Sequence, residues 1–198
     1  IHYLRHYSIW SIILLFFIFS VIGWTWEVSL HLVTDGEFVN RGVLHGPWLP
    51  IYGAGGVLIL MLLNRLRKRP VLEFVGIVVL CGCVEYTTSL VLEILHDGER
   101  WWDYSGYFLN LNGRICAEGL LVFGIGGIAI VYMLAPLLDN QIQRIRSWIL
   151  IPLCLMLLTG FAVDNIYSAQ YPNSGKGITD YEEKAACSQY IYPPYTYL

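Results

Sequence analysis

Charge is scarce in this chain. Asp, Glu, Lys and Arg together make up 14% of its 198 residues, where soluble domains carry about 25%. With 56% hydrophobic residues and a mean hydropathy of +0.55, the shortage excludes an ordinary soluble globule and places the chain in the membrane class. Twelve basic residues against fifteen acidic ones leave a net charge of -3, so there is no basic stripe and nucleic acid is not an expected partner. The five cysteines, Cys81, Cys83, Cys116, Cys154 and Cys187, form no C-x-x-C pair. Four of them lie in apolar runs and read as buried free thiols, and no disulfide framework is expected. There is no Walker A segment and no G-x-S-x-G elbow, and His31, His45 and His96 lack the spacing of a metal motif. Neither a metal nor a cofactor is expected.

Long apolar runs are plentiful. A helix needs about 20 apolar residues to cross the hydrocarbon, and Ser8–Val33, Val71–Leu95, Ile115–Leu138 and Trp148–Ile166 meet or approach that length. The first run is long for a signal-peptide core and is read as a retained span. Ile51–Leu63 is short. It crosses by borrowing the irregular Gly46–Pro50, or it is re-entrant. Loop charge favours crossing. Arg65, Arg67, Lys68 and Arg69 lie in one connection, Arg144 and Arg146 in another, and Arg5 precedes the first span. With five crossings all three segments share one side, which the positive-inside rule makes cytoplasmic. The sequence therefore predicts an all-α polytopic membrane protein with about five transmembrane helices and a short irregular or re-entrant segment before the second. Residues 1–166 form the helical domain, and 167–198 a partly ordered extracytoplasmic tail. The protein is expected in the plasma membrane, N-terminus cytoplasmic and C-terminus outside.

Ionisable side chains are costly inside a bilayer, so those within or beside the spans are candidates for function. Glu27 and His31 are four apart on the first helix. Glu85, Ser89 and Glu93 repeat that spacing on the third, which puts each set on one face. Arg114 is expected to pair with a carboxylate, either Glu118, four residues on along the fourth helix, or one from another helix, and Asp164 lies near the outer end of the fifth. The outer loops add Asn40, Arg41, His45, Trp101, Trp102, Asp103, Tyr104, Asn110 and Asn112. In this topology nearly all of them fall in the outer half. The expected site is an outward polar cavity formed by Glu27, Asn40, Arg41, Glu85, Trp102, Asp103, Tyr104, Asn112, Arg114, Glu118 and Asp164, closed below by Leu, Ile and Val. The bland readings are an interfacial aromatic belt for Trp101, Trp102 and Tyr104, and ion pairs that only staple helices.

Five stretches, "GWTWEV" (23–28), "NRGVLHGPWLPIYG" (40–53), "WWDYSGYFLNLNGRICAEGLLVFGIGG" (101–127), "LAPLLD" (134–139) and "PNSGKGITDY" (172–181), resemble the bacterial ABC-transporter type IV permease, or CmpB-like, family. The eukaryotic transmembrane protein 229 group is a more distant relative. The resemblance implies transport, with any ATPase or partner membrane subunit a separate chain. Three functions are carried forward. The first is a transport component for a polar or amphipathic solute. The second is an intramembrane enzyme acting on a lipid headgroup, with Glu85 or Asp103 as base. The third is an accessory subunit. Membrane lipids are partners in each.

Overall fold

The computed structural model describes residues 2–36, 38–95, 102–171 and 173. The expectations for His96, Trp101, Cys187 and the Tyr-rich tail lie outside them. Among the described residues the regular structure is helical, apart from one isolated bridge between Leu111 and Ile115. Helix α1 spans Ile9–Asp35, α2 Pro50–Leu62 and α3 Pro70–Leu95. Helix α4, Ala117–Ala129, continues through a π-helical turn, Ile130–Leu134, into α5, Ala135–Ile142, so that Ala117–Ile142 is one span. Helix α6 spans Ser147–Gln170. Among the described residues four spans are long and apolar enough to cross a bilayer, and α2 is a shorter apolar helix.

Local chemistry sets the ends. The Ser8 hydroxyl accepts from Ser11 N at the start of α1. Gly36, at φ 74°, closes its C-terminus in the left-handed conformation that glycine takes without penalty. Proline opens α2 and α3, where its missing N–H leaves no helical bond unmade. Cys116 caps α4 through its sulfur.

Helix α2 has 13 residues, about 20 Å of rise. It begins beside the middle of α1, where Leu49 N donates to Ser20 O at 3.0 Å. Residues 38–49 therefore descend to membrane depth as irregular chain. At its other end, α2 leads into a turn whose Arg67 donates to the carbonyls of Tyr3 and Arg5. The end of α2 thus returns to the face where α1 starts, and the Arg5–Asp139 pair brings the end of α5 there too. This face is called the basic face, and the opposite one the loop face.

Glycines let the helices approach. A Cβ on Gly53 would meet Ser20 Oγ and lie 2.5 Å from Phe16 O, and one on Gly56 would lie 2.5 Å from Phe19. These clefts seat α2 on α1. Gly124 and Gly127 do the same for α4 against Phe74 and Ile77 of α3, the close packing expected of "GLLVFGIGG". The apolar core, including Leu15, Phe19, Ile59, Leu60, Ile77 and Val131, fills the space towards the basic face. It forms an apolar floor beneath the polar residues of the loop face.

Candidate functional site

Two polar clusters stand on the loop face. The first joins α1, α2 and residues 38–49. The Glu27 carboxylate accepts from Arg41 Nε at 3.2 Å and from the Tyr52 hydroxyl at 2.8 Å. Asn40 accepts from Trp24 Nε1 at 2.6 Å and donates to His45 O at 3.0 Å. Beneath it, Asp164 accepts from the backbone N–H groups of His45 (3.1 Å) and Gly46 (2.9 Å), from Trp48 Nε1 (2.8 Å) and from the Ser168 hydroxyl (3.1 Å). Irregular chain at membrane depth leaves backbone N–H groups without helical partners, and Asp164 satisfies two of them. Asn173 closes the loop from above, donating to the carbonyls of Asn40, Gly42 and Leu44.

The second cluster joins α3 to residues 102–116. The Arg114 guanidinium lies 2.6 Å from Glu93 and 3.2 Å from Ser89 Oγ, over the ring of Tyr86. Asn112 donates to the Tyr86 hydroxyl at 2.9 Å, and Trp102 Nε1 donates to Arg114 O at 3.0 Å. The Asp103 carboxylate accepts from the N–H and hydroxyl of Ser105, which turns the chain locally. Leu109 and Asn112 both sit at positive φ, 48° and 53°. This is a rare conformation for a branched side chain such as leucine, held here by a dense set of loop hydrogen bonds. Glu85 is 7% exposed. One of its oxygens accepts from the Tyr104 hydroxyl at 3.3 Å, and the other has no hydrogen-bond partner among the described residues.

The clusters approach each other through tyrosines. Tyr52, bound to Glu27, lies within electrostatic reach of Tyr104, which is bound to Glu85. Arg41, Glu27 and Tyr52 form one bonded set and Tyr104 and Glu85 another, with Tyr52 and Tyr104 facing each other within electrostatic range. Asn40 belongs to the first cluster, and Trp102, Asn112 and Arg114 to the second. Asp103 serves its own turn and Asp164 holds loop backbone. Glu118 is exposed in the first turn of α4 and is not the partner of Arg114. The expected four-residue spacing does not operate because the helix starts after Cys116, leaving Arg114 in the bend before it. The partner comes from another helix instead.

Sequence reasoning placed the polar chemistry on one face only, yet the structure holds a second buried group at the basic face. Arg5 pairs with Asp139 at 2.9 Å, and Asp139, fully buried, also accepts from Gln143 at 2.7 Å. Arg67, 2% exposed, donates to the carbonyls of Tyr3, Arg5 and Leu60. The Tyr132 hydroxyl, in the π turn, donates to Arg67 O at 2.8 Å. Glu73 is completely buried, and among the described residues neither of its oxygens has a hydrogen-bond partner. Burial pushes the Tyr7 hydroxyl above its ordinary range, against the pull of Arg67 and Arg5. The available signal was Asp139 at the end of "LAPLLD", an acid just past an apolar run and opposite basic loops. Among the described residues no group of His, Cys, Asp and Glu has the makings of a metal site.

Residues 14–169, well over half of the chain, match the family described as "Putative ABC-transporter type IV". No curated protein and no solved structure matches the chain.

Proposed function

Since the chain belongs to this ABC-transporter type IV family and is an integral, transport-related membrane protein, we propose that the tyrosine-linked clusters of the loop face line an outward solute site. The carrying observation is Glu85, buried with one carboxylate oxygen unpartnered beside the Tyr104–Tyr52 approach. A buried carboxylate oxygen without a donor is costly, and a ligand that supplies one recovers that cost. Arg114 and Arg41 already carry carboxylate partners. The uncommitted charge of the site is therefore negative, which favours a polar or amphipathic solute presenting an ammonium or another N–H donor. Tyr104 and Tyr107, packed edge to face with ring centroids 5.6 Å apart, supply aromatic surface for such a group.

The site opens outward in this reading, with the basic face cytoplasmic by the positive-inside rule and the apolar core closing the path below. The chain would be the membrane component of a transporter. These 198 residues hold no nucleotide-binding motif, and a partner ATPase would approach the basic face.

A thermal-shift screen of the purified protein tests the reading, using matched panels of amphipathic ammonium compounds, carboxylates and neutral amphiphiles. Stabilisation by ammonium compounds that Glu85→Gln abolishes is the expected result. Stabilisation by anions alone, unchanged in Glu85→Gln, contradicts it.

A further inference from the structure

The basic face carries a recess of about 490 Å³ lined by Arg5, His6, Asn64, Arg65, Arg67 and Lys68. That volume lies in the range of ligand pockets, about 300–1,000 Å³. Among the described residues no acidic one lines it. Beneath it, Asp139 pairs with Arg5, and Glu73 lies close enough to Arg67 to feel its charge. Four cations, Arg5, Arg65, Arg67 and Lys68, therefore stand against two carboxylates, and the surplus falls on Arg65 and Lys68, both exposed.

The recess is also built. The 2%-exposed Arg67 ties the segment before α1 to the end of α2 through the carbonyls of Tyr3, Arg5 and Leu60, and its Nε has no hydrogen-bond partner. This clamp fixes both walls before any ligand arrives, so little ordering is required on binding. The recess lies where α2 ends at Leu62, α3 begins at Pro70 and α1 begins at Ile9. Those helix ends mark the level of lipid headgroups. The positive-inside rule accounts for basic residues in a loop, but it does not call for a preformed concavity with a buried guanidinium in its wall.

We propose that this recess binds a phosphate-bearing anion, supplied in the membrane by the headgroup of an anionic phospholipid. Arg65, Lys68 and His6 donate to the phosphate, and Arg67 holds the walls. Basic pockets between helix ends are the setting in which such headgroups are recognised. A soluble phosphate compound offers the same chemistry, and the test separates the two.

The full chain is reconstituted in phosphatidylcholine nanodiscs doped with a photoactivatable phosphatidylglycerol, and the cross-links are mapped by mass spectrometry. Labelling is expected on residues 2–8 and 64–69. The Arg65→Gln/Lys68→Gln variant should weaken it by about twenty-fivefold, from about fivefold per basic residue. Arg144→Gln/Arg146→Gln, on the same face, should leave it unchanged. Both pairs are exposed, so equal melting temperatures with the wild type verify folding. Equal labelling of the wild type and Arg65→Gln/Lys68→Gln overturns the site. Loss of labelling on adding millimolar inorganic phosphate overturns the lipid as its occupant in favour of a soluble phosphate. An acidic peptide that binds the wild type and displaces the lipid probe overturns both in favour of a protein partner.

Discussion

Arg114 lies 2.6 Å from Glu93 and 3.2 Å from Ser89, two residues four apart on α3 that grip one guanidinium between them. The pair ties the 102–116 loop to the helix that carries Glu85. Removing one partner of a buried ion pair typically costs about 3–5 kcal/mol, because the other charge is left unpaired. Arg114→Leu and Glu93→Gln are each expected to lower thermal stability markedly. Their combination should cost less than the sum of the two, as residues in contact do not add. Glu118→Gln, on an exposed residue, should change little. Additive effects of the first two variants would show that they act apart.

Asp164 is expected to act on the chain around it rather than on a solute. Its carboxylate holds the amides of His45 and Gly46 and the indole of Trp48. Asp164→Ala should therefore speed hydrogen exchange at His45 and Gly46 while amides in the middle of α3 keep their protection. Unchanged protection of those two amides would mean that other groups satisfy them.

Glycine packing between α1 and α2 gives a contrast between near neighbours. A Cβ on Gly53 runs into Phe16 O and Ser20, whereas one on Gly55 meets nothing within 4 Å. Gly53→Ala should destabilise by roughly 1–3 kcal/mol, the range for overpacking. Gly55→Ala should be neutral or slightly stabilising, since alanine is the better helix former. Similar melting temperatures for the two would contradict the seating of α2 on α1.

The orientation is tested at exposed positions. Arg65 and Phe108 are both exposed and lie on opposite faces, whereas Arg67 is buried and unsuited to labelling. In intact cells an impermeant thiol reagent should label Phe108→Cys and not Arg65→Cys, in a background free of native cysteines. The reverse pattern would place the loop face in the cytoplasm.

The spans were legible because an apolar run of some 20 residues has few other uses. The basic connections favoured a return of α2 over a re-entrant segment, since five crossings bring Arg5, Arg67 and the end of α5 to one face. The depth of residues 38–49 was legible from Gly46-Pro47-Trp48 ahead of a short apolar run. Partner choice was less so. The Arg114–Glu118 spacing resembled a helical pair, but the cap at Cys116 excludes Arg114 from the helix, and a sequence does not display a capping thiol as it does a serine. The role of Asp164 was hidden because its partners are backbone amides, which carry no sequence signal. The burial of Arg67 was not legible because loop cations are read as solvated, and that of Glu73 and Asp139 because acids at the ends of apolar runs are read the same way.

The account rests on Glu27 and Glu85 belonging to one site through Tyr52 and Tyr104. The most direct measurement is cross-linking of Tyr52→Cys/Tyr104→Cys in membranes, with a bifunctional thiol reagent about as long as the two tyrosine side chains. The account predicts ready cross-linking of the pair, and none when Tyr104→Cys is combined with a cysteine in place of Arg65 on the basic face. If each cysteine of the Tyr52/Tyr104 pair reacts singly but the two never join, the clusters are separate and the loop face holds no common site.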